Sequence, residues 1–300
     1  MNQGWSYTDQ VSRHHAGLTL LDFYRRTYTH SSIDVWRERI EQGQIRVAGE
    51  LAAPNQILEA GQKLVYHRPP WVEPLVPLDF KVLYADADLW LIYKPSGLQV
   101  LPGGDFLEHT LLYQLRQKFP QENPTPLHRL GRGTSGIMLV ARSPLARRHL
   151  SQQWRDRRIN KKYWALVGDW CWGQNIEINQ PIGPVAYAPL GYLYAATASG
   201  KTAQSFVRVL ARHRQRTLLE VTIPTGRPHQ IRIHLAAAGY PLLGDRLYGP
   251  GGLPQGQGLP SDEGYCLQAQ HIGFEHPRLH HWFTFTLPAP PWWPAGVPLA

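Results

Sequence analysis

Apolar positions at Leu18, Leu21, Phe23 and Tyr24 recur at close to helical spacing and predict a short amphipathic helix over residues 18–29. A second helix is expected directly after it. Ser31 or Ser32 caps its first turn, Ile33, Trp36, Arg37 and Ile40 share one face, and Gly43 stops it. Ile45-Arg46-Val47 then alternates as a strand does, Ala48-Gly49-Glu50 turns the chain, and Lys63-Leu64-Val65-Tyr66 reads as the returning strand after Ala60-Gly61. The proline-rich run Pro69-Pro70-Trp71-Val72-Glu73-Pro74 blocks helix and stiffens the chain, which places a linker at 69–76 after a small unit at 14–68.

From residue 77 the pattern changes to short apolar runs: Phe80–Tyr84, Leu89–Tyr93, Ile137–Ala141, Tyr163–Val167, Ser205–Leu210 and Leu218–Ile223. Few helices separate them, so the expected fold class is α+β with a mostly antiparallel sheet over residues 77–290. One helix is expected at 145–159. It carries Arg147, Arg148, Arg155, Arg157 and Arg158, with Lys161 and Lys162 just beyond, and it is either a solvated face or a phosphate-binding one. The tail at 291–300 carries most of the Pro-Pro-Trp-Trp-Pro run and is expected to be packed or frayed.

Composition narrows the partners. A formal charge of +9 without any long run of Lys or Arg points to a folded surface that meets a polyanion, with nucleic acid ahead of an anionic membrane. The chain has no stretch of about 18 uncharged apolar residues, and its first residues lack a basic-then-apolar pattern, so a cytoplasmic protein without membrane spans is expected. Cys171 and Cys266 lie far apart and form no C-x-x-C unit, which argues against zinc or a disulfide framework and predicts two buried thiols.

Three segments concentrate the chemistry: LHRLGRGTSGIMLVARS at 127–143, KKYWALVGDW at 161–170 and PTGRPHQIRIHLAAAGYPLLGDRLYG at 224–249. The first is a glycine-dense turn entering a strand, where Arg129 and Arg132 flank Gly131 and backbone N–H groups can approach a phosphate. It has neither the G-K-[ST] ending of a phosphate loop nor G-x-G-x-x-G, so nucleotide hydrolysis and dinucleotide binding are disfavoured. In the third, Arg227, His229, Gln230, Arg232 and His234 alternate with Ile231, Ile233 and Leu235. On a strand or strand-to-helix junction that spacing sets Gln230, Arg232 and His234 on one face. A metal is not expected among so many arginines, with no H-E-x-x-H nearby.

In order and spacing these segments resemble the RluA-type pseudouridine synthase blocks H-R-L-D-x-x-T-S-G, K-x-Y-x-A-x-V-x-G and T-G-R-x-H-Q-I-R-x-H, and LQAQHIGFEHP resembles the closing block. The likeness spans about residues 80–288. Residues 14–68 resemble the small RNA-binding domain known from a ribosomal protein, a helix bearing Arg37 and Arg39 followed by G-x-I-x-V-x-G. The resemblance implies a pseudouridine synthase domain preceded by a small α/β-hairpin RNA-binding domain, acting as a monomer on ribosomal or transfer RNA without a cofactor. It implies that Arg129 enters the duplex as the target uridine flips out, that Tyr163 stacks on the flipped base, and that Arg232 lines the base pocket. Arg132, Lys161, Lys162, His229, Arg37 and Arg39 would contact RNA.

One position departs from that pattern. Gly131 stands where the family carries the aspartate that acts at the sugar, and glycine supplies neither a nucleophile nor a charge. Asp105 and Asp245 are the nearest substitutes by analogy, Asp245 being the more structural. The expected function is therefore a pseudouridine synthase. The alternatives are a catalytically silent RNA-binding factor descended from one and, more weakly, a nucleotide-binding regulatory protein.

Overall fold

The structure is a computed structural model that describes residues 1–298 apart from 189, 257 and 261. Two compact units divide the chain, the first holding Met1–Glu73 with Ala188–Gly191 and the second holding the rest.

In the first unit α1 (Leu20–Thr27) is capped by the Thr19 side chain, which accepts from the Asp22 N–H, and α2 (Ile33–Glu41) by Ser32, which accepts from Val35. Gly43 has φ +71° and ends α2 in the left-handed conformation expected of it. The strand at the N-terminus, β1 (Trp5–Gln10), has no counterpart in the sequence reading. It runs antiparallel to β4 (Lys63–Arg68), which also pairs with β2 (Ile45–Val47), and β2 pairs in turn with β3 (Glu50–Leu51). All of β1 except Asp9 is exposed, so it lacks the buried apolar alternation by which a strand is read, and its register against β4 comes from backbone pairing. Leu20, Phe23, Trp36, Ile40, Ile45 and Leu64 form the core of this unit. The proline-rich run does not stand clear of it, because Asn2 hydrogen-bonds both the Trp71 N–H and the Glu73 carboxylate.

The second unit is built on one sheet. Its strands are β5 (Lys81–Ala85), β6 (Leu89–Lys94), β7 (Thr125–Pro126), β8 (Ser135–Ala141), β9 (Asn160–Val167), β10 (Asn175–Ile178), β13 (Ser205–His213), β14 (Arg216–Thr222), β15 (Leu267–Glu275) and β16 (Trp282–Thr286). A hairpin of β11 (Ile182–Tyr187) and β12 (Gly191–Ala196) stands apart from it. The order β10-β13-β14-β9-β15-β8-β6-β5 is antiparallel except where β15 and β8 run parallel. At that junction Gly136 has φ +120° and any Cβ would collide with the Ala269 backbone, so the glycine of Thr-Ser-Gly is what lets the two central strands close.

Helices α3 (Leu111–Lys118), α4 (Pro144–Arg155) and α5 (Gln230–Ala237) complete the unit. The basic helix stops at Arg155 rather than 159, and Arg157 takes φ +57° just before the chain enters β9 with Lys161 and Lys162. The tail is anchored by Trp293, buried against Trp164, Leu166 and Leu210; residues 299 and 300 lie outside the described range. The expectation of two buried thiols is corrected. Cys171 is exposed, its Sγ 2.6 Å from the Tyr240 hydroxyl, and Cys266 is only half-buried. Among the described residues no helix is long and apolar enough to cross a membrane.

Candidate active site

The segment 127–134 is held from beneath by three anchors. His128 stacks on Trp154 at 4.2 Å and its Nε2 accepts from the Leu139 N–H at 3.0 Å, so the ring is neutral and burial pushes its pKa down to about 3. Leu130 is buried in the same core as Ile92, Leu98 and Ala269. The third anchor is Lys94, wholly buried at the end of β6, whose ammonium donates to the carbonyls of Pro95 (2.8 Å), Leu98 (2.7 Å) and Arg132 (3.1 Å). Burial and the nearby Arg132 push its pKa down to about 7. Gly97 N–H and Ser96 Oγ donate to the Arg132 and Gly133 carbonyls, so residues 94–97 fix the backbone of the glycine turn. The sequence reading passed over Lys94, although a charged residue closing the apolar run Leu-Trp-Leu-Ile-Tyr was a visible signal.

The turn presents Arg129 and Gly131 to solvent, while Arg132 is half-buried, 3.6 Å from the Glu263 carboxylate and over the Phe106 ring. The charge of Arg129 reaches His229 and helps to lower its pKa. Gly131 has no left-handed φ; what limits it is room, since a Cβ there would lie 3.0 Å from the Tyr265 hydroxyl and 3.4 Å from Thr134 Oγ1.

Residues 230–237 form the helix α5, which corrects the expectation of alternating faces. At 3.6 residues per turn Gln230 and His234, four positions apart, share one face while Arg232 points to the opposite side, and all three are buried. Gln230 is a structural hub: its carbonyl accepts from Thr225 Oγ1 and the Arg227 N–H, and its amide donates to the Gln204 carbonyl and Ser205 Oγ. His234 Nε2 contacts the Gln180 carbonyl. His229 sits at the start of the helix with φ +54°, and its Nδ1 lies 2.8 Å from the Tyr248 hydroxyl, which itself donates to the Tyr194 carbonyl. Burial, then the charge of Arg232, pushes the His229 pKa down to about 3, so its ring is neutral.

Arg232 makes a bidentate pair with Asp245, Nε to Oδ2 at 2.7 Å and Nη2 to Oδ1 at 2.8 Å, with side chains 2% and 1% exposed. Its guanidinium lies 4.3 Å from the Tyr265 ring centre and 5.0 Å from that of Tyr248. Asp245 Oδ1 also accepts from the N–H groups of Leu247 and Tyr248. The carboxylate is thus fully engaged by its own loop and by Arg232. Asp105 is exposed on the glycine-rich loop.

Tyr163 lies in the middle of β9 between Val221 and Ala269, half-buried, and packs against the core containing Leu130 and against the core containing Tyr265. Burial pushes its phenol up to about 12. The structure therefore brings together the 129–134 turn, Tyr163, His229, Arg232, Asp245 and Tyr265. Lys161 and Lys162 share β9 but are engaged elsewhere, Lys161 over the Trp154 ring and Lys162 3.3 Å from Glu220. In the first unit Arg37 is exposed and pairs with Asp34, while Arg39 packs over Trp36 and Tyr66. Tyr265 was missed because it stands outside the three motif segments.

A profile of the family described as RNA pseudouridylate synthase matches residues 88–237. An uncharacterized RNA pseudouridine synthase of Synechocystis is 54% identical over 91% of this chain and 94% of its own. The dual-specificity RNA pseudouridine synthase RluA of Pasteurella multocida is 34% identical over 69% of this chain and 92% of its own. Among solved structures, human RNA pseudouridylate synthase domain containing 1 superimposes with a TM-score of 0.59 at 22% identity, covering 76% of this chain and 92% of that one.

Proposed function

Because the chain belongs to the RNA pseudouridylate synthase family, we infer that it isomerises uridine to pseudouridine in RNA, ribosomal or transfer, without a cofactor. The observation that carries this reading is the assembly of Arg129, Tyr163 and Arg232 around one turn, with all the elements that fix them in one sheet-based unit. A uridine inside a duplex cannot be reached, so it must leave the stack. On this reading exposed Arg129 takes the vacated space and the Tyr163 ring stacks on the base. Arg232, held rigid by Asp245, keeps a cation at the back of the pocket. The base is then detached at C1′, turned, and rejoined through C5.

The first unit, with Arg37 on an exposed helix face, acts on this reading as an RNA-binding module, and the protein as a cytoplasmic monomer. Arg132, Lys161, Lys162 and His229 would add contacts along the RNA. A second reading, an RNA-binding factor without turnover, is favoured by one observation: Gly131 has no carboxylate and Asp245 is saturated by its own hydrogen bonds. Mapping pseudouridine by mass spectrometry in RNA from cells with and without the gene separates the two. Loss of a defined site supports the enzyme, and an unchanged map supports the binding factor.

A further inference from the structure

Two glycines of the turn leave the same space open. A Cβ at Gly131 would press on the Tyr265 hydroxyl at 3.0 Å, and a Cβ at Gly133 would meet the Tyr265 ring at 2.8 and 2.9 Å. Gly-Arg-Gly is thus a seat for one side chain arriving from the segment before β15. Tyr265 is 5% exposed, its hydroxyl 3.1 Å from Thr134 Oγ1 and its ring beneath the Arg232 guanidinium. Among the described residues, the only side-chain oxygens within 4 Å of where a Cβ at 131 would lie are the hydroxyls of Tyr265 and Thr134, and of these the phenol is the one that can ionise.

We propose that the Tyr265 hydroxyl is the catalytic acid–base group of this protein, acting at the place that a side chain at position 131 would occupy. The proposal rests on the pseudouridine reading above. As the N1–C1′ bond breaks, its electron pair leaves with the uracil and Tyr265 gives its proton to the departing base. The phenolate left behind lies beside the cationic C1′, with Arg232 over its ring and Thr134 at its oxygen. Once the base has turned, the ring's π electrons join C5 to C1′ and the phenolate takes the C5 proton. The phenol is restored, N1 carries hydrogen, and no co-reactant is consumed. Burial raises the phenol's pKa while Arg232 and Thr134 oppose the rise, so the proton is retained until an acceptor is present.

Tyr265→Phe keeps the ring in its seat and removes only the oxygen. With total RNA from cells lacking the gene as substrate, single-turnover conversion should fall by about 10²-fold or more, the usual size of a lost acid–base group, while affinity for the same RNA stays within about twofold. A Phe variant that converts within about threefold of wild type overturns the proposal and leaves the reaction intact. Wild type that makes no pseudouridine overturns both. Should the Phe variant melt early, 3-fluorotyrosine at 265 supplies a more acidic phenol of nearly the same shape. The alkaline limb of the rate–pH profile must then move to lower pH, and an unmoved limb overturns the assignment.

Discussion

Asp245→Ala removes the carboxylate partner of a cation that is 2% exposed and leaves Arg232 buried with a 3.3 Å contact from Nη1 to the Pro260 carbonyl and the neutral Tyr265 and Tyr248 rings. Breaking a buried pair from one side costs about 3–5 kcal/mol, because the remaining charge is neither paired nor hydrated. Here the upper part of that range applies, since the Leu247 and Tyr248 N–H groups also lose their acceptor, at about 0.5–1.5 kcal/mol each. Asp245→Asn should cost less, because its carbonyl oxygen can still serve those N–H groups. Arg232→Met with Asp245→Leu should lose less than the two single changes together, because no charge is left stranded. Urea unfolding followed by far-UV circular dichroism measures each value. A loss of under about 1 kcal/mol for Asp245→Ala, or strict additivity in the double variant, would refute the picture of a desolvated, mutually dependent pair.

Gly131→Asp should destabilise by about 1–3 kcal/mol because its Cβ presses on Tyr265, and in a Tyr265→Phe background the cost should shrink; paired thermal melts check this. Asp88 accepts from Arg278 and Ser143, and chiefly Arg278 holds its carboxyl down at about 2 against an ordinary 3.8. Its contribution is complete above about pH 4 and lost as pH falls through 2, so Asp88→Asn should flatten the acid limb of stability against pH; an unchanged limb counts against this origin. RNA affinity should fall steeply as salt rises from about 50 to 200 mM, given the formal charge of +9, and a flat response in a filter-binding titration would remove the phosphate contacts from the account.

The motif blocks made the large unit legible because each sits on a geometrically demanding feature. Gly136 closes the β8–β15 junction, and Arg232 makes a buried bidentate pair. Short apolar runs located β6, β8, β9 and β14 for the same reason: one or both of their faces are buried. The period of α5 was misread because a helix buried all round has no polar face to reveal 3.6-residue spacing, and its polar residues are paired inside the protein. Strand β1 was invisible because its register comes from backbone pairing to β4, far along the chain, Trp5 opposite Arg68 and Gln10 opposite Lys63. Lys94 and Tyr265 lay hidden because their roles depend on the loops that fold over them. A lysine within reach of three carbonyls, or a tyrosine filling the space above two glycines, is a property of the tertiary structure.

Turnover by the natural protein, with Gly131 in place, is the most direct test of synthase activity. RNA transcribed with uridine tritiated at C5 releases its label only when C5 bonds to the sugar, so the purified protein should release tritium in step with pseudouridine found after digestion. Tight binding of the same RNA with no release above background would contradict the claim that this chain is a working synthase.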